Sequence, residues 1–189
     1  ADSNPRAFFV IIGFMIDMHI HLVPPNLPGS GPLSTTLELP AAERVKAIRR
    51  EMKSGGMTAV LAMGAYTISA ADPLGVTSTL DSVEHVPGLF AIGVMDPARD
   101  DREHFKLVDA ALKDQRIVAL KAYLGYLHYE PSHANYRRYY ELAEKHRVPV
   151  IFHTGDTYSK LAKLKYAQPL LIDEVAVDHP NGKFVIAHL

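Results

Sequence analysis

The stretch FFVIIGFMIDMHIH, residues 8–21, decides the fold of this chain. Its apolar run is too short to span a bilayer, and it ends in the pair His19 and His21. A buried strand over 8–20 explains the run better than a signal peptide, because only Arg6 precedes it and no small-residue cleavage pattern follows. The polar lead 1–6 is expected to be a disordered or artificial end.

Five more apolar runs follow, each about as long as a strand buried on both faces and without clean alternation with polar residues. They are 58–63, 89–94, 117–123, 148–153 and 183–188. Helix candidates lie between the strands, at 40–54, 77–84, 101–113, 135–146 and 169–177. Strands and helices that alternate without a hairpin signal predict right-handed βαβ units and a parallel sheet. We therefore expect an α/β fold, a parallel TIM-type (β/α) barrel with about the first six strands present.

Length and composition limit the class of protein. The chain has 189 residues, of which 48% are hydrophobic and 22% charged, as in a soluble globular domain. A complete eight-stranded α/β barrel usually needs roughly 250 residues. The sequence is therefore expected to form a single barrel domain over 1–189 that is truncated at its C-terminal side.

Charge and cysteine content exclude several kinds of site. The formal net charge is -1 and no basic stripe stands out, so neither nucleic acid nor an anionic membrane is an expected partner. The absence of cysteine excludes disulfides and thiolate metal sites. No glycine-rich phosphate turn follows the first strand, which argues against a dinucleotide-binding fold. We expect a cytoplasmic protein with a small-molecule substrate.

Four histidines end predicted strands, where parallel α/β barrels carry their functional side chains. His19 and His21 close the first run, His153 closes the fifth and His188 closes the sixth. Residues two apart on a strand point to the same side, so His19 and His21 can reach one ion together. A single strand-end histidine is more often a hydrogen-bonded core or loop residue, although neutral imidazole is also the commonest metal ligand. All four together predict a divalent-metal site.

Lys121 lies near the end of the fourth run, where an inward-facing charge is costly unless it is paired or modified. Three interpretations stay open. Lys121 extends to solvent at the barrel rim, anchors a substrate carboxylate, or is carbamylated and bridges two metal ions. Asp17, two residues before His19, is either a carboxylate that orients a histidine or an exposed residue at the strand end.

Side chains near the end of the fourth run are candidates for substrate binding. They are Tyr123, Tyr126 and His128. The loop 125–135 that follows lies on the expected active face of the barrel. Other histidines fall on helices or turns away from that face and are predicted to be surface or capping residues, namely His85, His104, His146 and His179.

These residues together resemble the amidohydrolase superfamily. The pattern is Asp17-x-His19-x-His21 on strand one, Lys121 on strand four, His153 on strand five and His188 on strand six. The stretches KAYLGY at 121–126, VIFHTG at 150–155 and VIAHL at 185–189 are most similar to its branch of TIM-barrel metal-dependent hydrolases. That branch includes aminocarboxymuconate-semialdehyde decarboxylase. The resemblance covers nearly the whole chain from Met15 onward.

The resemblance implies that His19, His21 and His153 are metal ligands, with Zn²⁺ as the expected ion and Mn²⁺ or another divalent ion as alternatives. It implies that His188 binds metal in dinuclear members and handles the catalytic water and substrate in mononuclear ones. Lys121 matches the position that some dinuclear members carbamylate. Members also supply a catalytic aspartate from strand eight, and no residue of this chain is assigned that role.

The activity implied by the resemblance is metal-assisted hydrolysis of an amide, lactone or other ester bond. A second interpretation within the same fold is non-oxidative decarboxylation of an unsaturated or aromatic carboxylate, because both reactions use the same metal constellation. A third is not enzymatic: a catalytically incomplete six-strand fragment exposes barrel edges and serves only as a component of a homo-oligomer or another assembly. Fold analogy alone does not decide among them.

Overall fold

The structure is a computed structural model that describes residues 14–31 and 37–188. Its strands are β1 Met15–His21, β2 Met57–Met63, β3 Leu89–Val94, β4 Ile117–Ala122, β5 Val150–Phe152 and β6 Phe184–Ile186. They form one parallel sheet in chain order, so each strand pairs with its neighbours in sequence. This confirms the predicted parallel α/β architecture with six strands. The lead 1–6 and positions 8–13 of the first predicted strand lie outside the described residues.

Helices connect the strands close to where the apolar periodicity predicts them. They are α1 Ala41–Gly55, α2 Thr77–Val83, α3 Arg102–Ala111, α4 Ala134–His146 and α5 Ile172–Asp178. The predicted helix 169–177 begins differently, as the 3₁₀ turn Pro169–Leu171 that leads into α5. Local signals set other ends: the Asp101 carboxylate accepts from the N–H of His104 at the start of α3. Among the described helices, none has both the length and the hydropathy that crossing a bilayer needs.

Both faces of the central strands β2 to β5 are largely buried, which explains why their sequences do not alternate with polar residues. On β2, Val60 and Ala62 belong to the hydrophobic cluster that packs against the helices. Leu61, between them, belongs to a second cluster on the inner face, with Ile92 and Ile151. The strands therefore separate a helical layer from an inner core, as in a barrel wall.

β1 and β6 are the two edges of the sheet that the described residues form. Each pairs with one neighbouring strand, β2 and β5 respectively. Ile16 on β1 is 55% exposed and Ile186 on β6 is 40% exposed. These six strands thus make a partial barrel. Its two edges approach each other at their carboxyl ends, where the ring centroids of His19 and His188 lie 4.9 Å apart.

β5 and β6 are shorter than the apolar runs 148–153 and 183–188 that predicted them. His153 therefore follows β5 directly, and His188 lies two residues beyond the end of β6. The N–H of His153 still donates to the carbonyl of Ala122 on the neighbouring strand, with a donor–acceptor distance of 2.9 Å. The two histidines thus lie just past the strands rather than within them, and hydrogen bonds hold the backbone there.

Of the histidines that were predicted to be surface or capping residues, His104 is buried, and for it the prediction was wrong, whereas His179 is the C-cap residue of α5. His104 is 4% exposed, and its Nε2 lies 2.6 Å from the hydroxyl of Tyr139. Burial lowers the pKa of His104 and favours its neutral form. The side chains of His146 and His179 are 13% and 12% exposed. A position on a helix away from the active face thus did not mean exposure, because α3 and α4 pack together and cover the ring of His104.

Candidate metal centre

Four histidine side chains meet at the carboxyl end of the sheet. His19 and His21 are two apart on β1 and line the same cavity, with ring centroids 5.5 Å apart. The ring of His188 lies 4.9 Å from that of His19 and 5.1 Å from that of His153. The parallel topology thus brings together side chains from β1 and from the ends of β5 and β6, at the positions that the sequence predicts.

The spacing of the rings suits a shared ion. Two imidazoles that bind one tetrahedral zinc ion, with Zn–N bonds of about 2.0–2.1 Å, have ring centres about 5 Å apart. The neighbouring rings are tilted by 57°, 40° and 69°. Within residues 14–31 and 37–188, no three His, Asp or Glu side chains are arranged to hold an ion as they stand. A ligand set therefore requires these side chains to move from the positions described here.

One nitrogen of His153 is already engaged. Its Nε2 lies 2.9 Å from the backbone carbonyl oxygen of Asp156. A carbonyl only accepts hydrogen bonds, so Nε2 carries the proton and Nδ1 keeps its lone pair. Metal-binding imidazoles usually donate their other N–H to a carbonyl or carboxylate. The hydrogen bond therefore prepares His153 to bind an ion through Nδ1.

The β1 residues differ in their hydrogen bonding. The Nδ1 of His21 is buried and has no hydrogen-bond partner. Leaving a buried nitrogen unpaired costs free energy, and an ion or a water molecule at this atom would recover it. Asp17 accepts a hydrogen bond from the backbone N–H of His19 at 3.0 Å. The predicted orienting carboxylate thus contacts the backbone of β1 and not an imidazole.

The environment keeps the imidazoles neutral. Burial, followed by the positive charge of Lys121, lowers the pKa of His19 to about 3 and the pKa values of His21 and His153 to about 4. The same two causes lower the pKa of His188. Neutral imidazole is the form that binds metal ions. At neutral pH the cluster therefore offers lone pairs rather than charges.

Lys121 is a buried charge behind the histidines. Its side chain is 0% exposed and its Nζ has no hydrogen-bond partner. Burial lowers the pKa of Lys121 to about 7. The Nζ lies 5.6 Å from the centre of the Tyr123 ring. Complete burial rules out the interpretation in which Lys121 extends to solvent at the barrel rim.

The histidine cluster opens into a cavity of about 350 Å³, within the range of small-molecule sites. Tyr123 stacks beside His21 with ring centroids 6.4 Å apart, and Tyr126 meets the ring of His153 edge to face at 5.0 Å. Both tyrosines that were predicted to bind substrate line this cavity. The rest of its wall is mostly apolar and comes from loops: Pro25, Leu27, Ser30, Tyr158 and Ala187.

His128, the third predicted substrate-binding residue, does not line this cavity. It is exposed, with its Nε2 3.0 Å from the carbonyl oxygen of Leu161 and its ring stacked on that of Tyr166 at 5.8 Å. The backbone turns at Gly125, where φ is +85°, so the alternation of the strand no longer predicts where later side chains point. His128 instead joins the loop after β4 to the loop after β5.

Several residues at the site were not predicted from the sequence. The hydroxyl of Thr154 hydrogen-bonds to both the N–H and the carbonyl of His188. The N–H of Tyr158 donates to the hydroxyl of Tyr126 at 2.9 Å. These residues lie in a loop that has no helical or strand period. The available signal was the run of polar residues directly after His153, since loops at this end of a barrel carry function.

The loops after β1 and β5 pack closely at Gly29. Its φ is +77°, and a Cβ at this position would collide with the side chain of Ser159. Ser159 is 6% exposed. Glycine is therefore required at position 29 both for the backbone angle and for the contact that forms this side of the cavity.

A larger groove of about 600 Å³ lies on the outer surface between α3 and α4. Its charges are largely neutralised in ion pairs, with Lys145 2.7 Å from Asp109 and Arg138 2.7 Å from Glu141. The groove lies on the helical outer face, and none of the four clustered histidines lines it. We therefore take the histidine cavity as the functional site.

The low histidine pKa values predict a pH dependence of stability. Between pH 7 and 5 the unfolded chain protonates these histidines, whose pKa is 6.5 in water, while the folded cluster stays neutral. The free energy of unfolding of the metal-free protein should therefore fall as the pH falls through this window. Urea unfolding with a chelator at pH 7, 6 and 5 measures it. A flat profile would contradict the neutral cluster.

Comparison with known proteins gives a family and a fold. A sequence model of the amidohydrolase family matches residues 16–189. No protein with a curated description matches the chain in sequence. The family match covers the six strands except for Met15, the first residue of β1, and it includes the four clustered histidines.

Three solved structures illustrate the likeness in fold. A probable 2-pyrone-4,6-dicarboxylic acid hydrolase from Acinetobacter baumannii, with citric acid bound, is 14% identical with a TM-score of 0.56, over 92% of this chain and 57% of its own. An uncharacterised TIM-barrel protein from Bordetella bronchiseptica is 19% identical with a TM-score of 0.59, over 91% and 66%. The 5-carboxyvanillate decarboxylase from Sphingomonas paucimobilis is 11% identical with a TM-score of 0.61, over 92% and 67%.

Identities this low show the fold alone, and the chain spans less than two thirds of the length of the first two structures. The family rests on the sequence match, which extends over nearly all of the chain. It agrees with the partial barrel and with the histidines at its carboxyl end. The chain belongs to the amidohydrolase family.

Proposed function

We propose that this chain carries the metal centre of a hydrolase that opens an amide, lactone or other ester bond in a small carboxylate. The observation that carries the proposal is the convergence of four neutral imidazoles on one cavity, with a buried lysine behind them. Neutral histidines in an aromatic pocket suit metal binding and do not suit nucleophilic catalysis by serine or cysteine, for which this cavity offers no histidine–carboxylate pair among the described residues.

The donor set fits a divalent ion of the zinc type. His19, His21 and His153 would hold it, because their nitrogens are neutral and the Nδ1 of His21 is buried without a partner. A divalent ion, when bound, polarises a carbonyl group as a Lewis acid and brings the ionisation of water into the neutral pH range. Imidazole ligands suit Zn²⁺ and several other transition metals, so the residues favour zinc without requiring it.

His188 is the proposed proton carrier. It is the most exposed member of the cluster and lies beside both His19 and His153. Its lowered pKa keeps a ring nitrogen free to accept a proton at neutral pH. An imidazole in this state acts as a general base when it takes the proton and as a general acid when it returns it.

Lys121 is the proposed source of affinity for an anion. Its pKa of about 7 means that a nearby negative charge would favour the protonated form. The lysine does not itself line the cavity, so it acts as a charge beneath the imidazoles and the Tyr123 ring. The names of two similar structures, a dicarboxylic acid hydrolase and a carboxyvanillate decarboxylase, support a carboxylate substrate.

Decarboxylation of an aromatic carboxylate is the second candidate. The rings of Tyr123 and Tyr126 flank the histidines and would pack on a planar substrate. The fold is also similar to that of 5-carboxyvanillate decarboxylase. The same imidazole set serves either reaction, so product analysis separates them.

A zinc titration followed by a substrate panel tests the proposal. The metal-free chain should take up about one Zn²⁺ in calorimetry, as expected of a single imidazole-ligated site. The zinc-loaded chain should then hydrolyse at least one member of a panel of carboxylated lactones and amides, whereas the chelated chain should not. Release of carbon dioxide from aromatic carboxylates would favour the second candidate. Failure to bind any divalent ion would contradict both.

A further inference from the structure

The parallel pairing of β5 with β6 ends before it reaches His188. The last paired residues are Phe152 and Ile186, and one more ladder-like hydrogen bond follows, from the N–H of Ala187 to the carbonyl of Phe152 at 3.0 Å. His188 lies one residue further, beyond the end of β6, which is an edge strand of the described sheet. Pairing between the strand backbones therefore does not set the position of this histidine.

The side chain of Thr154 takes over from the strand pairing at this point. Its Oγ1 accepts a hydrogen bond from the N–H of His188 at 3.3 Å and donates one to the carbonyl oxygen of the same residue. A hydroxyl has one proton to donate and two lone pairs to accept with, so a single side chain can make both contacts. Thr154 thus binds His188 as the backbone of a neighbouring strand would.

Thr154 is well suited to hold a neighbour in place. It is 0% exposed, and its β-branched side chain is stiff about χ1. The preceding residue, His153, is a proposed metal ligand, and the ring of His188 lies 5.1 Å from the ring of His153. The consecutive residues His153 and Thr154 therefore supply a proposed metal ligand and the side chain that holds His188 beside it.

We propose that Thr154 is a positioning residue that fixes His188 over the histidine cluster. Thr154 does not line the cavity and acts through His188 alone. The inference rests on the proposed function for the role of His188 as proton carrier. The hydrogen bonds themselves are testable without metal or turnover, so the two ideas can fail separately.

Two substitutions at this position isolate the hydroxyl. Thr154→Val keeps the shape of the side chain and removes both hydrogen bonds, whereas Thr154→Ser keeps the hydroxyl. Thr79→Val is the matched control, because Thr79 is also 0% exposed and its Oγ1 donates to the carbonyl of Met63 at 3.0 Å, outside the cavity. All three variants change one buried threonine, so loss of stability alone cannot distinguish them.

Amide hydrogen exchange of His188, measured by NMR on the metal-free chain, is the first readout. Loss of one hydrogen bond should speed its exchange about three- to tenfold in Thr154→Val, with Thr154→Ser and Thr79→Val close to the wild type. Equal exchange in Thr154→Val and the wild type would overturn the inference. So would the same acceleration in Thr79→Val.

Turnover by the zinc-loaded chain is the second readout. Thr154→Val should lower kcat about 10- to 100-fold, as for other groups that orient a site, while KM and zinc affinity change little, and Thr154→Ser should restore kcat. Loss of zinc affinity equal to the loss of kcat would overturn the positioning role, because it would show a general collapse of the cluster. If the exchange rates change as expected but the chain binds no zinc, the proposed function is contradicted. The contact between Thr154 and His188 is then still established.

Discussion

Replacing His21 with alanine is expected to lower the affinity of the chain for Zn²⁺ by more than about a hundredfold, since residues that merely orient ligands already contribute about 10–100-fold. His21 is the sharpest choice because its buried Nδ1 has no hydrogen-bond partner. Removing the ring therefore deletes a donor without breaking a hydrogen bond of that nitrogen. Calorimetric titration of the metal-free variant with zinc gives the change directly.

His85→Ala is the matched control for this experiment. His85 is exposed and precedes β3, at the amino end of the sheet and away from the cluster. Its loss should leave zinc affinity unchanged. If His21→Ala binds zinc as the wild type does, or if both variants lose zinc equally, the four-histidine cavity is not the metal site.

Replacing Lys121 with methionine is expected to stabilise the fold while weakening its affinity for carboxylates. The difference between the ordinary pKa of 10.5 and about 7 in the folded chain corresponds to about 5 kcal/mol as an upper estimate. Between pH 7 and 10.5 the unfolded chain holds a proton on Lys121 that the folded chain has lost. The destabilisation of the folded state by the buried charge is therefore full below pH 7 and disappears above about pH 10. Methionine fills a similar volume and carries no charge.

Urea unfolding of the metal-free protein at pH 6 and pH 10 measures this effect. The gain in the free energy of unfolding should be several kcal/mol at pH 6 and small at pH 10. Lys113→Met, at an exposed lysine, should change stability by less than about 0.5 kcal/mol at either pH. A gain at Lys121 that does not depend on pH would show that packing, not charge, is responsible.

The same variant separates two roles of Lys121. A lysine that only attracts an anion can be replaced without loss of zinc, so Lys121→Met should keep the zinc content of the wild type and bind a carboxylate ligand more weakly. Loss of zinc in this variant would show that Lys121 belongs to the metal centre itself, as in the interpretation in which a carbamylated Lys121 bridges two ions.

The fold was predictable because its central strands are largely buried on both faces. Runs such as 89–94 are apolar throughout and match β3 residue for residue, and the alternation with helices fixed the parallel topology. The convergence of the four histidines was predictable from topology, because the carboxyl ends of parallel barrel strands all meet at one face of the barrel. Strand geometry carries this information in a single sequence.

The rest of the site lies in loops, where neither the helical nor the strand periodicity of apolar residues applies. Tyr158 reaches the cavity and His128 does not, although both were equally distant from a strand in the sequence pattern. Thr154 contacts a residue 34 positions away, and His104 is buried against Tyr139 on another helix. These placements depend on packing between elements that are remote in sequence, which local patterns do not encode.

The aromatic wall of the cavity also makes the site visible to spectroscopy. The chain has nine tyrosines and no tryptophan, so its intrinsic fluorescence comes from tyrosine alone. Two of these fluorophores, Tyr123 and Tyr126, lie 6.4 Å and 5.0 Å from the rings of His21 and His153. A quenching ion such as Co²⁺ among the imidazoles would lie beside them. Occupancy of the site can thus be followed optically in the unlabelled chain, before any substrate is known.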